Sequence, residues 1–214
     1  MFTLIKREIE DHLAFFLGAI IATPILIVLL VPVILNYHPP QEIPIYAIGL
    51  LIPVIVIVVI GMPAMGASQM YTDRTRRVSA FLSGLPVTRS QILVARIVTG
   101  VLAILIVVVP LTITGAVLRQ MLLPPIPIYP GLITDMSVTA FLMAFACYCL
   151  GLQTGWTSSK FTPTLGALAL TFVLILLIVF KGFGLHTTVI LIMFIIASLV
   201  RTWQKFMSAP LLGT

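Results

Sequence analysis

Apolar residues run through this chain in blocks too long for an ordinary buried helix. Six blocks stand out, at about 13–35, 45–66, 93–117, 137–156, 164–180 and 186–203. A helix needs about 20 consecutive apolar residues to cross hydrocarbon, so the pattern predicts six transmembrane helices. Two shorter patterns lie outside the blocks. Ahead of the first span, over residues 1–13, helical periodicity puts Phe2, Ile5, Ile9 and Leu13 on one face and sends Lys6, Arg7, Glu10 and Asp11 elsewhere, giving an interfacial helix over 1–12. A helix of that kind lies in the membrane interface. In residues 71–88 the same period groups Tyr71, Val78, Phe81, Leu82 and Leu85, while Asp73 and Arg77 are spaced to pair. Pro86 stops this helix, because the residue before a proline is pushed out of the α region. Thr88-Arg-Ser-Gln91 then fits a capping box that starts the third span at about residue 89.

Composition sharpens the class. The chain is 60% hydrophobic and 8% charged, with a mean hydropathy of +1.22. Soluble domains carry roughly 25% charged residues, so a soluble globular domain is excluded. The fold class expected is all-α, a polytopic membrane protein forming one transmembrane domain over residues 1–214. Prolines break the outer loop at Asn36–Pro44 and stiffen Leu122–Gly131, and Pro53 and Pro63 kink the second span. Lys181–Leu185 leaves room only for a tight hairpin between the last two spans.

The net charge of +6 does not form a nucleic-acid stripe; the charges punctuate the spans. Six spans put both termini on one side, together with the second and fourth loops. That side collects Lys6, Arg7, Arg74, Arg76, Arg77, Arg89, Arg96, Lys160, Arg201 and Lys205, against Arg119 and Lys181 on the other. The excess predicts cytoplasmic termini. No cleavable signal is expected: the n-region mixes acids with bases and no small-residue cleavage site follows. The small, domain-free layout suits a prokaryotic plasma membrane.

Candidate chemistry is sparse. There is no GxxxxGK[ST] phosphate loop. The span centres carry no ionisable residue of the kind gradient-driven carriers bury. His12, His38 and His186 are scattered, with no His-Glu-x-x-His or carboxylate cluster, and no Ser or Thr has a paired base. No catalytic role, metal or cofactor is therefore expected. Cys147 and Cys149 sit two apart on one helix, face different ways and read as packing residues. Thr112, Thr114, Thr139, Tyr148, Gln153 and Thr154 are the main polar groups within the spans, read as interhelical hydrogen bonders ahead of substrate contacts. Gly151-Leu-Gln-Thr-Gly155 makes a small-residue face for close packing within one subunit, with a dimer seam as the alternative.

That leaves residues 71–91. Topology alone explains the arginines, but not an apolar face with Phe81 in a cytosolic loop, nor the stop at Pro86 and the restart after it. A docking helix does. The run Asp73-Arg-Thr-Arg-Arg-Val-Ser-Ala-Phe-Leu-Ser-Gly-Leu-Pro-Val-Thr-Arg-Ser-Gln-Ile-Leu-Val-Ala-Arg96 resembles the signature loop of the type-2 ABC exporter permeases. Asp73 stands where Glu is more usual, Thr88 replaces a Ser, Val78 falls near a Gly position, and Ala95-Arg96 stands for Gly-Lys. The layout resembles that family as well, except that its outer region before the last span is usually longer.

The resemblance implies a permease half that dimerises, with itself or a similar permease, and sits on separate ATP-binding subunits. Asp73, Arg76, Arg77, Phe81, Leu85, Pro86 and Arg89 would then form the coupling element. Asp73 and Arg77 would meet charged groups on the partner, Phe81 would fill an apolar cleft and Pro86 would hold the bend. Substrate-binding residues are not identified by it. The alternative is a non-transporting membrane anchor or assembly subunit whose loop recruits a cytosolic ATPase or sensor.

Overall fold

The computed structural model describes residues 2–35, 60–75, 88–122, 131–155, 161–182 and 184–208. These residues form seven helices and no strand. They are α1 (Phe2–Asp11), α2 (Leu13–Leu35), α3 (Met62–Thr75), α4 (Arg89–Leu122), α5 (Leu132–Gly155), α6 (Phe161–Lys181) and α7 (Leu185–Ser208). Among the described residues, three stretches are long and apolar enough to cross a membrane: Ser90–Val117, Thr134–Gly155 and Leu185–Met207. Helices α1 and α2, bent by 74° at their break, pass the same test as a pair. The described residues are thus all-helical, as the hydropathy pattern predicts, and three of the six expected spans, or four with the α1–α2 pair, meet the length and apolarity a crossing helix needs. Most of the predicted second span, and the loops 36–44 and 123–130, lie outside the described residues.

Local sequence accounts for the breaks. At His12 the helical ladder is interrupted: the His12 carbonyl accepts from the amides of Phe15 at 2.9 Å and Phe16 at 3.4 Å, starting α2 on a new axis. Helix α6 ends in the hairpin expected at Lys181–Leu185. Gly182 takes φ of +71°, which a side chain would resist, and its amide donates to the Ile178 carbonyl at 2.8 Å. Within α4, Pro110 removes the donor that the Ile106 carbonyl would otherwise meet. The Thr23 hydroxyl of α2 sits 3.5 Å from that carbonyl while donating to Ala19 at 2.7 Å, so a neighbouring helix supplies polar company where the proline took it away.

The restart after Pro86 is half as predicted. Helix α4 begins at Arg89, and the Thr88 amide donates to Gln91 Oε1 at 3.2 Å, which is the glutamine arm of a capping box. The Thr88 hydroxyl pairs with Ser90 Oγ at 3.0 Å instead of the Gln91 amide. One boundary needs correcting. Tyr71–Thr75 does not open a new helix but prolongs α3, which runs unbroken from Met62 because Gly66-Ala-Ser-Gln-Met contains no proline to stop it.

Helix α5 occupies the middle of the bundle. Ala144, Ala146, Cys147, Tyr148, Cys149 and Leu152 are fully buried on it. Its contact with α3 is backbone against backbone. A Cβ at Gly66 would lie 2.5 Å from the Tyr148 carbonyl oxygen, one at Gly151 would strike the Pro63 backbone, and one at Gly155 would lie 2.5 Å from the Ala67 carbonyl oxygen. The Gly151–Gly155 face is therefore used inside the subunit, as the sequence favoured. The cysteines are free and buried, also as expected.

Candidate functional site

Five helices bring side chains to one end of the bundle, the end at which α3 leaves for residues 76–87 and α4 returns. At its centre is Arg96, 1% exposed and about 10 Å along α4 at 1.5 Å per residue. A guanidinium placed there must find its partners inside the protein, since an unpaired buried charge costs several kcal/mol. Glu8 on α1 supplies the counter-charge, with Oε1 3.3 Å from Arg96 Nε. The other oxygen, Oε2, lies 3.7 Å from His12 Nε2 at the α1–α2 elbow. One carboxylate therefore joins the elbow to the base of α4. Arg96 Nη1 lies 3.2 Å from Met70 Sδ on α3, and the guanidinium carbon sits 6.0 Å over the Phe206 ring of α7.

The Arg96 backbone is engaged too. Tyr148 Oη on α5 lies 2.8 Å from the Arg96 carbonyl oxygen and 2.6 Å from Gln69 Oε1. One phenolic proton cannot serve both oxygens. Gln69 Nε2 is buried with no partner in this orientation. Turning the amide end for end lets Nε2 donate to the phenol and frees the phenolic proton for the Arg96 carbonyl, so that each of these two contacts holds one proton. The Tyr148 ring needs room above α4, and Gly100 leaves it, since a Cβ there would run into the ring. Phe141 and Phe145 stack below it along α5, at 6.4 and 6.2 Å between centroids.

A second polar tie lies on the far side of α5. Gln153 Nε2 donates to Ser198 Oγ at 2.7 Å and to the Ser198 carbonyl at 3.0 Å, joining α5 to α7. Tyr148 and Gln153 thus make the interhelical bonds that the sequence assigned to them. Thr112 and Thr154 instead donate to the carbonyls of Val109 and Gly151 on their own helices. The buried hydroxyl of Thr139 has no hydrogen-bond partner.

Of the residues expected to form the coupling element, Asp73 lies in the last turn of α3 and Arg89 opens α4. Arg76, Arg77, Phe81, Leu85 and Pro86 lie outside the described residues. The cluster at Arg96 is not legible in the sequence, where that arginine serves the charge asymmetry and the Ala95-Arg96 match to the permease loop, and Glu8 and Gln69 have no role. The available signal was a basic residue two turns inside an apolar span, with an acidic residue in the N-terminal helix as a partner for it. Replacing Tyr148 by Phe should lower stability by about 1–3 kcal/mol, because it strips the Gln69 amide of its buried partner. Thermal unfolding in detergent micelles measures this, and a variant as stable as the parent would refute the assignment.

Comparison with known proteins finds no matching family model, no matching curated protein and no matching solved structure.

Proposed function

We propose that this chain is the membrane-spanning permease subunit of an ATP-driven ABC exporter that moves a hydrophobic or amphipathic solute outward. In this reading it has six spans, both termini in the cytoplasm, and a place in the plasma membrane of a prokaryote. It works as a homodimer or with a similar permease, on separate ATP-binding subunits that hydrolyse ATP in its place. Asp73, Arg76, Arg77, Phe81, Leu85, Pro86 and Arg89 form the surface those subunits grip.

What supports the reading is the position of this sequence between two anchored helices. Helix α3 is packed backbone to backbone on α5, and α4 is tied through Arg96 to α1, α3, α5 and α7. A push delivered between Thr75 and Thr88 therefore enters a packed bundle with little slack. Co-expression with an ATP-binding subunit encoded beside the chain, followed by pull-down, tests this. The parent should retain the subunit, and Phe81→Asp and Arg77→Glu should each reduce retention several-fold. No retention by the parent defeats the proposal. Retention without ATP-dependent solute movement in liposomes would instead support the anchor or assembly role.

A further inference from the structure

Two of the residues expected to grip a partner stand on different helices: Asp73 in the last turn of α3 and Arg89 at the start of α4. Their spacing therefore depends on how those two helix ends are held. Helices α3 and α4 touch each other little, and each leans on α5 instead. The polar ties that join them lie at one depth. Gln69 is six residues before Thr75 and Arg96 is seven after Arg89, about 9 and 10 Å from the two ends at 1.5 Å per residue. At that depth Tyr148 Oη bridges the helices, 2.6 Å from Gln69 Oε1 on α3 and 2.8 Å from the Arg96 carbonyl on α4. With the Gln69 amide turned as above, the protons run in one direction along the bridge, from Gln69 to Tyr148 to the carbonyl. A second, direct link is Arg96 Nη1 to Met70 Sδ at 3.2 Å. All four residues are exposed by 1% or less, so water does not compete for these contacts.

We propose that Gln69, Met70, Arg96 and Tyr148 are positioning residues: they clamp the ends of α3 and α4 together and so set the distance between Asp73 and Arg89. Backbone contact at Gly66, Gly151 and Gly155 seats α3 on α5. Tyr148 carries that placement on to α4, through its ring at Gly100 and its hydroxyl at the Arg96 carbonyl. A binding surface shared between two helices works only if its halves are held to within about 0.5 Å, and buried side chains locked by packing and hydrogen bonds are what hold it. Asp73 and Arg89 belong to a docking surface in the reading proposed above, on which this role rests, but the clamp can be measured with no partner present.

Dipolar electron paramagnetic resonance on the full chain in lipid nanodiscs tests it, with spin labels on Thr75→Cys and Arg89→Cys and with Cys147 and Cys149 replaced by alanine throughout. The parent should give one narrow distance distribution. Tyr148→Phe keeps the ring and removes the bridging hydroxyl, and should broaden the distribution about twofold. Gln69→Leu combined with Tyr148→Phe removes both buried partners, so its unfolding midpoint should return toward the parent's while the distribution stays broad. A purely structural role would not give that split. Gln153→Leu cuts the α5–α7 tie instead and should leave the distribution unchanged. A double variant as narrow as the parent, or a Gln153→Leu variant as broad as Tyr148→Phe, would overturn the clamp. Pull-down joins the clamp to docking: where the parent retains the ATP-binding subunit, the unlabelled double variant should retain several-fold less, and equal retention would overturn the positioning role. A parent that retains none defeats the docking reading alone, and the spin-label comparison still decides the clamp.

Discussion

Glu8→Leu should destabilise the protein by about 3–5 kcal/mol, and adding Arg96→Met to it should recover most of that loss. The asymmetry comes from burial. With Glu8 gone, the guanidinium remains charged and 1% exposed, and it loses the carboxylate that balances its charge. Arg96→Met alone should cost less, because the Glu8 side chain left behind is 17% exposed and can be hydrated. Removing both charges leaves an apolar contact between α1 and α4, and such replacements are often neutral. The three variants with the parent form a double-mutant cycle, read from unfolding midpoints in one detergent. Additive losses would mean that the pair contributes nothing as a pair.

The restored stability of the double variant makes it informative about mechanism. If the ion pair served only to hold α1 down, the Leu–Met pair would replace it in every respect. If it sets the register of α4 against α3 and α5, the double variant should fold well yet lose coupling between residues 76–87 and the bundle. In the transport reading that appears as ATP hydrolysis without solute movement. Stability and coupling thus move in opposite directions, which separates the structural role of Arg96 from its positioning role.

The sequence made the helices legible because hydropathy depends only on composition within a window, and a bilayer imposes its length on each span. The restart at Arg89 was legible as well, since Thr88 and Gln91 act within one turn. What it did not show depends on pairs far apart in the chain. Glu8 and Arg96 are 88 residues apart, and Tyr148 and Gln69 are 79 apart; nothing local announces either contact. The α3 boundary was missed for a related reason. The apolar pattern ends the second span at about residue 66, just short of Gln69, yet Gln69 is 1% exposed because α5 presents Tyr148 to receive it.

The glycines give the other large effect, and they divide by position in a way the sequence alone does not. Gly151→Ala should cost at least the upper part of the 1–3 kcal/mol range, about 3 kcal/mol, that overpacking usually costs. The added carbon meets the Pro63 backbone, which cannot swing aside as a side chain can. Gly66→Ala and Gly155→Ala meet carbonyl oxygens at 2.5 Å and should behave alike. Gly100→Ala meets the Tyr148 ring, which can yield by giving up its bond to the Arg96 carbonyl, so its cost should be smaller and should not add to that of Tyr148→Phe. Gly18→Ala and Gly115→Ala meet nothing within 4 Å and should stabilise by up to about 1 kcal/mol, the helix-propensity gain of alanine over glycine. Melting curves followed by size-exclusion chromatography rank the six. An order in which Gly151→Ala is no worse than Gly115→Ala would mean that α3 and α5 do not interlock.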